Sequence, residues 1–349
     1  MSAGDARPGM TPLRVAGIGL GDLGRTELHV LAGIDGVEVV AGADVSERAR
    51  DRFAADFDAP AYEDHETLFD AEDVDLVNVV TPHTLHYEQA SAALDRGVHV
   101  HLEKPMVTEV EHAEDLIARA DSEGLVLAVG YQRHFDDRFR EIRRLLDEGR
   151  IGTPHMATCH LEQVWIEWAV RQWRGKPELS GGGQLYDSGS HLLDALLWTT
   201  RADPESVAAS IDHRGEAVDV NSALAVTLDR DGDRITTSVG VTGAGQSTPA
   251  PGERLDVWGT EGHLSFDGEE ITVTEAGTTY RATPHEPDFE TLTHRKLENV
   301  VDAIRGEASL EIPPEDALRV TALTEAAYRS DETGERVAVS DLLSDGFGA

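Results

Sequence analysis

Between residues 13 and 133 the chain repeats one theme, a short run of apolar residues followed by a helix-spaced segment. The apolar runs fall at 13–18, 37–43, 76–80, 98–102 and 126–129, with helical spacing over 46–57, 85–96 and 110–123. A strand that is apolar on both faces must be covered on both. Helices linking strands of one direction do this, so the pattern predicts a parallel sheet wound on both sides. The first run leads into Gly19-Leu20-Gly21-Asp22-Leu23-Gly24, a G-x-G-x-x-G between strand and helix. Glycines there permit a tight turn, let main-chain N–H groups approach a pyrophosphate and let helix pack on strand, while the helix N-terminus favours the anion. Twenty residues past Gly24, Asp44 ends the second run, where a carboxylate accepts hydrogen bonds from an adenosine ribose. The combination predicts a dinucleotide site. Asp44 favours NAD because a 2′-phosphate would meet its charge, and Arg48 leaves NADP as the alternative. Asp22 sets an acid beside the expected pyrophosphate, to be turned away or offset by Arg25.

The pattern changes after a helix expected over 135–148. From Gly152-Thr153-Pro154 to about residue 283, β-rich segments such as 222–228, 234–241, 254–258 and 270–274 are separated by Gly and Asp. Turns like Asp229-Arg230-Asp231-Gly232-Asp233 predict an antiparallel sheet. Helices return at 294–304 and 314–328. The expected fold is α/β in two domains, a doubly wound nucleotide-binding domain over 1–134 and an α+β domain over 135–349. Residues 243–252, rich in Gly, Ser, Thr and Pro, are the expected mobile loop.

Charge narrows the partners. Asp and Glu number 66 against 30 Lys and Arg, a net charge of −36, which leaves no basic face for nucleic acid or an anionic membrane. Acids in nearly every segment, with scarce lysine, fit a protein built for a salty cytoplasm. At ~1 M salt the screening length is roughly 3 Å and self-repulsion largely disappears. No run approaches ~20 apolar residues. The opening MSAGDARPGMTP carries no apolar leader, so a cytoplasmic chain is expected. One cysteine, Cys159, excludes an intramolecular disulfide and a cysteine-based zinc cluster, and without a zinc-type motif no metal is expected.

Only three of the 30 basic residues are lysines, at 104, 176 and 296. Lys104 stands in Glu103-Lys104-Pro105, at the carboxyl end of an expected parallel strand, where open α/β sheets bind ligands. Arginine does not easily shed its proton, whereas a partly desolvated lysine can donate, shuttle or attack. In the second half, the run from Gly181-Gly182-Gly183 to Asp194 places Asp187, His191 and Asp194 at i, i+4 and i+7 of an expected helix, on one face. A carboxylate beside a histidine makes an acid/base pair. A buried Asp–His hydrogen bond serving only the fold, or a metal site, would use the same spacing. Trp173 and Tyr186, near the glycines, can offer flat faces to a sugar, although core packing is the commoner role of such rings.

Together with Thr81-Pro82-His83-Thr84-Leu85-His86, these segments resemble the glucose-fructose oxidoreductase/inositol dehydrogenase/rhizopine catabolism (Gfo/Idh/MocA) family, whose motifs occur here in the same order over nearly the whole chain. The resemblance implies a Rossmann domain followed by an α+β domain with a large open, mainly antiparallel sheet, often used to form dimers or tetramers. It implies NAD(P)-dependent hydride transfer to or from a sugar, cyclitol or related polyol. By motif position, Lys104, Asp187 and His191 form the catalytic group, Thr81, Pro82, His83, His86 and Glu103 lie along the nicotinamide side, and Arg133 is a candidate substrate contact. This chain has Arg133-His134-Phe135 where the family often has Arg-Arg-Phe, and His83 where Asn is commoner. The resemblance also covers NAD-dependent glycosidases that act by transient oxidation and elimination. A nonenzymatic nucleotide sensor on the same fold is the third reading.

Overall fold

The computed structural model describes residues 11–245, 252–344 and 346–347, so residues 246–251 of the expected mobile loop lie outside the described residues. The chain forms two compact units. The first contains Met1–Met106, Asp115–Gln132 and Asp288–Pro314, and the second Val107–Glu114, Arg133–Pro287 and Glu315–Ala349.

In the first unit β1 (Leu13–Ile18), α1 (Asp22–Ala32), β2 (Val37–Ala43), α2 (Glu47–Phe57), β3 (Ala61–Tyr62), α3 (His65–Ala71), β4 (Leu76–Val79), α4 (His86–Leu94), β5 (His99–Leu102), the greater part of α5 (Val110–Glu123), from Asp115 on, and β6 (Leu127–Val129) follow in order. All six strands are parallel, arranged β3-β2-β1-β4-β5-β6. The strand order reverses between β1 and β4. At such a switch point the carboxyl ends of the strands leave a crevice for a ligand, and the glycine loop leaves β1 there. Val15, Ala16, Leu76 and Val77 in β1 and β4 are fully buried, as a sheet covered on both faces requires.

The second unit holds α6 (Asp137–Asp147), β7 (Pro154–Glu162), the short α7 (Pro177–Ser180), a π turn at Leu185–Gly189 running into α8 (Ser190–Thr200), and then β8 (Asp203–Asp212), β9 (Asn221–Arg230), β10 (Asp233–Thr242), β11 (Gly252–Gly259), β12 (Gly262–Phe266), β13 (Ile271–Glu275) and β14 (Thr278–Ala282). Helix α9 (Phe289–Ile304) returns to the first unit, while α10 (Pro314–Thr333) and β15 (Val337–Ala338) close the second. Its nine strands are ordered β14-β13-β12-β11-β7-β10-β9-β8-β15, and every neighbouring pair is antiparallel except β10 with β7. Side chains alternate along β10, with Ile235, Thr237, Val239 and Val241 inward and Thr236 and Ser238 exposed. Such alternation belongs to a sheet packed on one face only.

The chain passes from the first unit to the second at Gln132/Arg133, near the expected split at residue 134, and Asp288–Pro314 belongs to the first unit. Helix α9 turns Leu297, Val300 and Val301 into the core made by Leu28, Leu31 and Phe53, so Asp288–Pro314 folds with the first unit. Among the described residues no helix is long and apolar enough to cross a membrane, and no group of three His, Cys, Asp or Glu side chains is placed to hold a metal ion.

Candidate active site

The glycine loop divides its labour. Gly19 has φ +89°, and a Cβ there would fall 2.2 Å from the Val80 carbonyl oxygen. One on Gly24 would fall 2.0 Å from the Gly19 oxygen, so Gly24 lets α1 pack against the turn. A Cβ on Gly21 would meet nothing within 4 Å, and Gly21 caps α1 without a side-chain hydrogen bond. A helix N-terminus whose free amides open on empty space fits a pyrophosphate. Leu20 is fully buried and Leu23 half-buried, so the loop is anchored between its glycines. Asp44 Oδ2 accepts the Leu20 N–H at 2.8 Å and Oδ1 accepts the Ser46 N–H at 2.8 Å. Each carboxylate oxygen keeps a lone pair for a ribose hydroxyl. Arg48 is exposed. The Asp22 side chain is 90% exposed with Arg52 at 3.3 Å, whereas Arg25 pairs with Asp56, so the counter-ion of Asp22 is Arg52 and not the expected Arg25.

Two further segments of this unit meet. Half-buried Thr81 donates its hydroxyl to Gln89 Oε1 at 2.6 Å, next to half-buried Pro82. His86 is fully buried, with Nδ1 2.9 Å from the Pro105 carbonyl oxygen and Nε2 3.0 Å from that of Thr81. Burial pushes its pKa down, and a neutral ring carries one N–H, so His86 packs between the Thr81 and Pro105 carbonyls and donates to one of them. The His83 ring lies 6.0 Å from that of His86 and is also buried. Lys104 is half-buried just past β5. Glu103 turns inward, with Oε1 2.5 Å from Lys296 Nζ and Oε2 accepting the Lys104 N–H at 3.2 Å. Lys296 also donates to Glu27 Oε1 at 2.5 Å, and Glu27 Oε2 accepts from Asn78 Nδ2 at 3.1 Å. His101 Nδ1 lies 2.5 Å from Asn78 Oδ1. Burial first, and then the Lys296 ammonium, push the His101 pKa down to about 3, so its neutral ring donates to that oxygen.

In the second unit, Asp187 is buried in the π turn, and its Oδ2 accepts from Trp165 Nε1 at 2.7 Å and Arg174 Nε at 3.0 Å. Both partners are donors, which suits the carboxylate form. His191 follows in the first turn of α8, half-buried. The three expected α-helical positions are thus divided by the π turn, and Asp194 is committed elsewhere: its Oδ1 lies 2.9 Å from buried His134 Nε2. His134, standing where an arginine is the commoner residue, still offers Asp194 a nitrogen donor. Asp219 fixes the start of this segment. Its Oδ1 accepts the Gly183 N–H at 2.5 Å and the Tyr328 hydroxyl, and its Oδ2 accepts the Leu185 N–H at 2.9 Å. Tyr186 is a core ring, 3% exposed, stacked 5.2 Å from Tyr328 and donating its hydroxyl to the Thr108 carbonyl at 2.7 Å. That commits it to packing, and burial pushes its pKa up. Half-buried Trp173 lies against the Arg174 guanidinium at 4.4 Å, and exposed Trp168 lies at 5.5 Å from the same group. Arg133 pairs with Glu253 Oε2 through Nε at 3.2 Å, with its guanidinium 5.5 Å over Phe139.

Trp165, Arg174, Asp219 and Lys296 are not among the residues expected from sequence. Lys296 carries a signal nonetheless, since it is as rare a lysine as Lys104. Asp219 carries one too, as an acid between Val218 and Val220. Trp165 and Arg174 show none beyond their nearness to the glycine run.

Residues 13–131 match the Gfo/Idh/MocA model described as an oxidoreductase family with an NAD-binding Rossmann fold, and residues 139–265 match the Gfo/Idh/MocA C-terminal domain. The scyllo-inositol 2-dehydrogenase (NADP(+)) of Bacillus subtilis (strain 168) is 27% identical over 303 residues, 79% of this chain and 82% of its own. The D-xylose 1-dehydrogenase (NADP(+)) of Haloarcula marismortui is 28% identical over 278 residues, 74% of this chain and 75% of its own. The fold matches that of GenD2 from gentamicin A biosynthesis, solved in complex with NAD, with a TM-score of 0.80 and 24% identity over 97% of this chain and 99% of that one.

Proposed function

Because the chain belongs to the Gfo/Idh/MocA family of NAD(P)-binding oxidoreductases, we propose that it moves a hydride between a nicotinamide nucleotide and a carbinol carbon of a sugar, cyclitol or related polyol. The observation that carries this reading is Asp187, a buried carboxylate held by an indole and a guanidinium about one turn before half-buried His191. When bound, the nicotinamide supplies the position that accepts or returns the hydride. The amides around Gly21 hold the pyrophosphate, Asp44 holds the ribose, and Thr81, Pro82, His83 and Glu103 line or support the nicotinamide side. In oxidation His191 takes the hydroxyl proton, Lys104 donates a hydrogen bond to the same oxygen as alkoxide charge develops, and Asp187 favours the imidazolium. Arg133 and Trp173 are the substrate contacts of this reading. Asp44 supports NAD over NADP.

The reading extends to assembly and surroundings. Across β8, β9, β10 and β7 the outward rows run Ala208, Ala225, Ser238, Thr158 and Ser210, Ala223, Gly240, His160. Eight positions without a carboxylate, in a chain carrying 66 acids, support burial of this sheet face against a second copy as a homodimer or homotetramer. The net charge of −36 supports a salty cytoplasm and small-molecule partners, and the buried thiol of Cys159 suits a reducing compartment.

The test is a panel of aldoses and cyclitols with NAD and NADP at molar KCl. Lys104→Met and His191→Ala should each lower kcat at least ~100-fold while NADH still binds, and kcat/KM should favour NAD. Near-normal turnover in either folded variant removes the assignment. Release of sugar from a glycoside without net NADH would assign the site to elimination chemistry instead.

A further inference from the structure

We propose that Lys296 is a positioning residue for the catalytic lysine: its ammonium fixes the Glu103 carboxylate, which in turn holds the main chain of Lys104. The proposal rests on the reading of Lys104 as catalytic.

Lys296 is 2% exposed and meets two carboxylates, Glu27 on α1 and Glu103 after β5, each at 2.5 Å. Both carboxylates hold the ammonium protonated by pushing its pKa up, against the pull of burial. Two acids and one base in an interior make a poor stability device. Buried ions are costly to desolvate, and well-packed apolar side chains of the same volume often do as well or better. Such a cluster does fix positions. An ammonium draws two oxygens to a single point, where the planar guanidinium that this chain otherwise prefers would spread them apart.

The Glu103 carboxylate is held on its other sides as well. Its Oε2 accepts the Lys104 N–H at 3.2 Å, and Gly130 stands so close that a Cβ there would fall 2.4 Å from Oε1. The following peptide has a contact of its own, because the Nδ1–H tautomer of His86 donates to the Pro105 oxygen at 2.9 Å. The Lys104 side chain therefore departs from backbone held on both flanks. Without the ammonium, Glu103 must either take up a proton or swing towards water, and in either case its hold on the Lys104 N–H weakens.

The experiment uses the full-length protein at molar KCl. In Glu27→Gln/Lys296→Met one acid leaves with the base, so the cluster keeps its net charge of −1 while Glu103 loses its cation. Kcat should fall at least ~10-fold, the scale on which a misplaced group slows chemistry. The NADH dissociation constant, read by fluorescence, should stay within about threefold. Adding Glu103→Gln should lower kcat little further, because the two residues act through one path. Gly130→Ala supplies a second test without altering charge, since its methyl pushes the carboxylate from the far side; the same kcat loss with intact NADH binding is expected. Unchanged kcat in either folded variant overturns the proposal, as does parallel loss of NADH affinity. Full turnover in Lys104→Met would remove the underlying reading and the proposal with it. Loss in Lys104→Met with normal turnover in the other variants would remove the proposal alone.

Discussion

Replacing Asp219 by Ala should cost the second unit a large part of its stability. The side chain is 1% exposed and receives three donors, the Gly183 and Leu185 amides and the Tyr328 hydroxyl. A methyl group accepts none of them. A buried donor without a partner costs about 1–3 kcal/mol, so three would cost several, and partial relief by entering water leaves about 4 kcal/mol. Against a total of roughly 5–15 kcal/mol that is a severe loss. Tyr328→Phe removes one donor and leaves the carboxylate with its two amides, for about 1 kcal/mol. Asp219→Asn turns an N–H2 towards one former donor and should fall between, near ~2 kcal/mol. Tryptophans 165, 168, 173, 198 and 258 are all five of the chain and all lie in the second unit, so tryptophan fluorescence in urea follows that unit's unfolding. Urea is chosen because guanidinium would change the ionic strength. Kcat should fall with stability, since Asp219 sets the start of the segment that carries Asp187 and His191. An Asp219→Ala cost below ~1 kcal/mol, or one equal to that of Tyr328→Phe, would refute the view that the network is organised around this carboxylate.

The His101 pKa is pushed from its ordinary 6.5 to about 3, so the unfolded chain binds the extra proton between those values. Stability should therefore fall as pH drops through about 6.5 and continue falling towards 3, with about 2 kcal/mol lost by roughly pH 5. His101→Gln, which still donates to Asn78, should flatten this part of the unfolding profile, and an unaltered slope would count against it. With a net charge of −36, the melting temperature should rise with KCl from ~0.1 M to ~2 M; a flat response ends the salt-adapted reading. Ala225→Glu puts a charge among the eight carboxylate-free positions of β8, β9, β10 and β7 and should yield a smaller species by light scattering, whereas an unchanged mass would exclude that patch as the subunit contact.

Apolar runs and clearly alternating segments, such as β9, β10, β11 and β13, were readable as strands from sequence, whereas the two-residue β3 and the exposed β14 were not. Sequence spacing predicts β1 at 13–18 and β2 at 37–43, where they are found, because a doubly covered strand must be a compact apolar run. Strand β3 has two residues, and β14 reads Thr-Thr-Tyr-Arg-Ala, mostly exposed. Both are paired through their main chains, which leave little trace in side-chain pattern. The motifs of the proposed site depend on local geometry for a similar reason. Gly19, Gly21 and Gly24 answer to turn geometry and close approach within a few residues, and Asp44 follows at a spacing set by one strand–helix–strand unit.

By itself the sequence determined the parallel sheet, the nucleotide loop and the lysine after β5, since each depends on period, turn chemistry or strand ends within a short stretch of chain. Only the tertiary structure decided that α9 joins the first unit, that Glu27, Glu103 and Lys296 share one ion cluster, and that Asp219 and Tyr328 meet at Gly183. Those partners lie up to 269 positions apart. No local periodicity encodes such a pairing. It arises because a buried charge must find a partner wherever the packed elements bring one within reach.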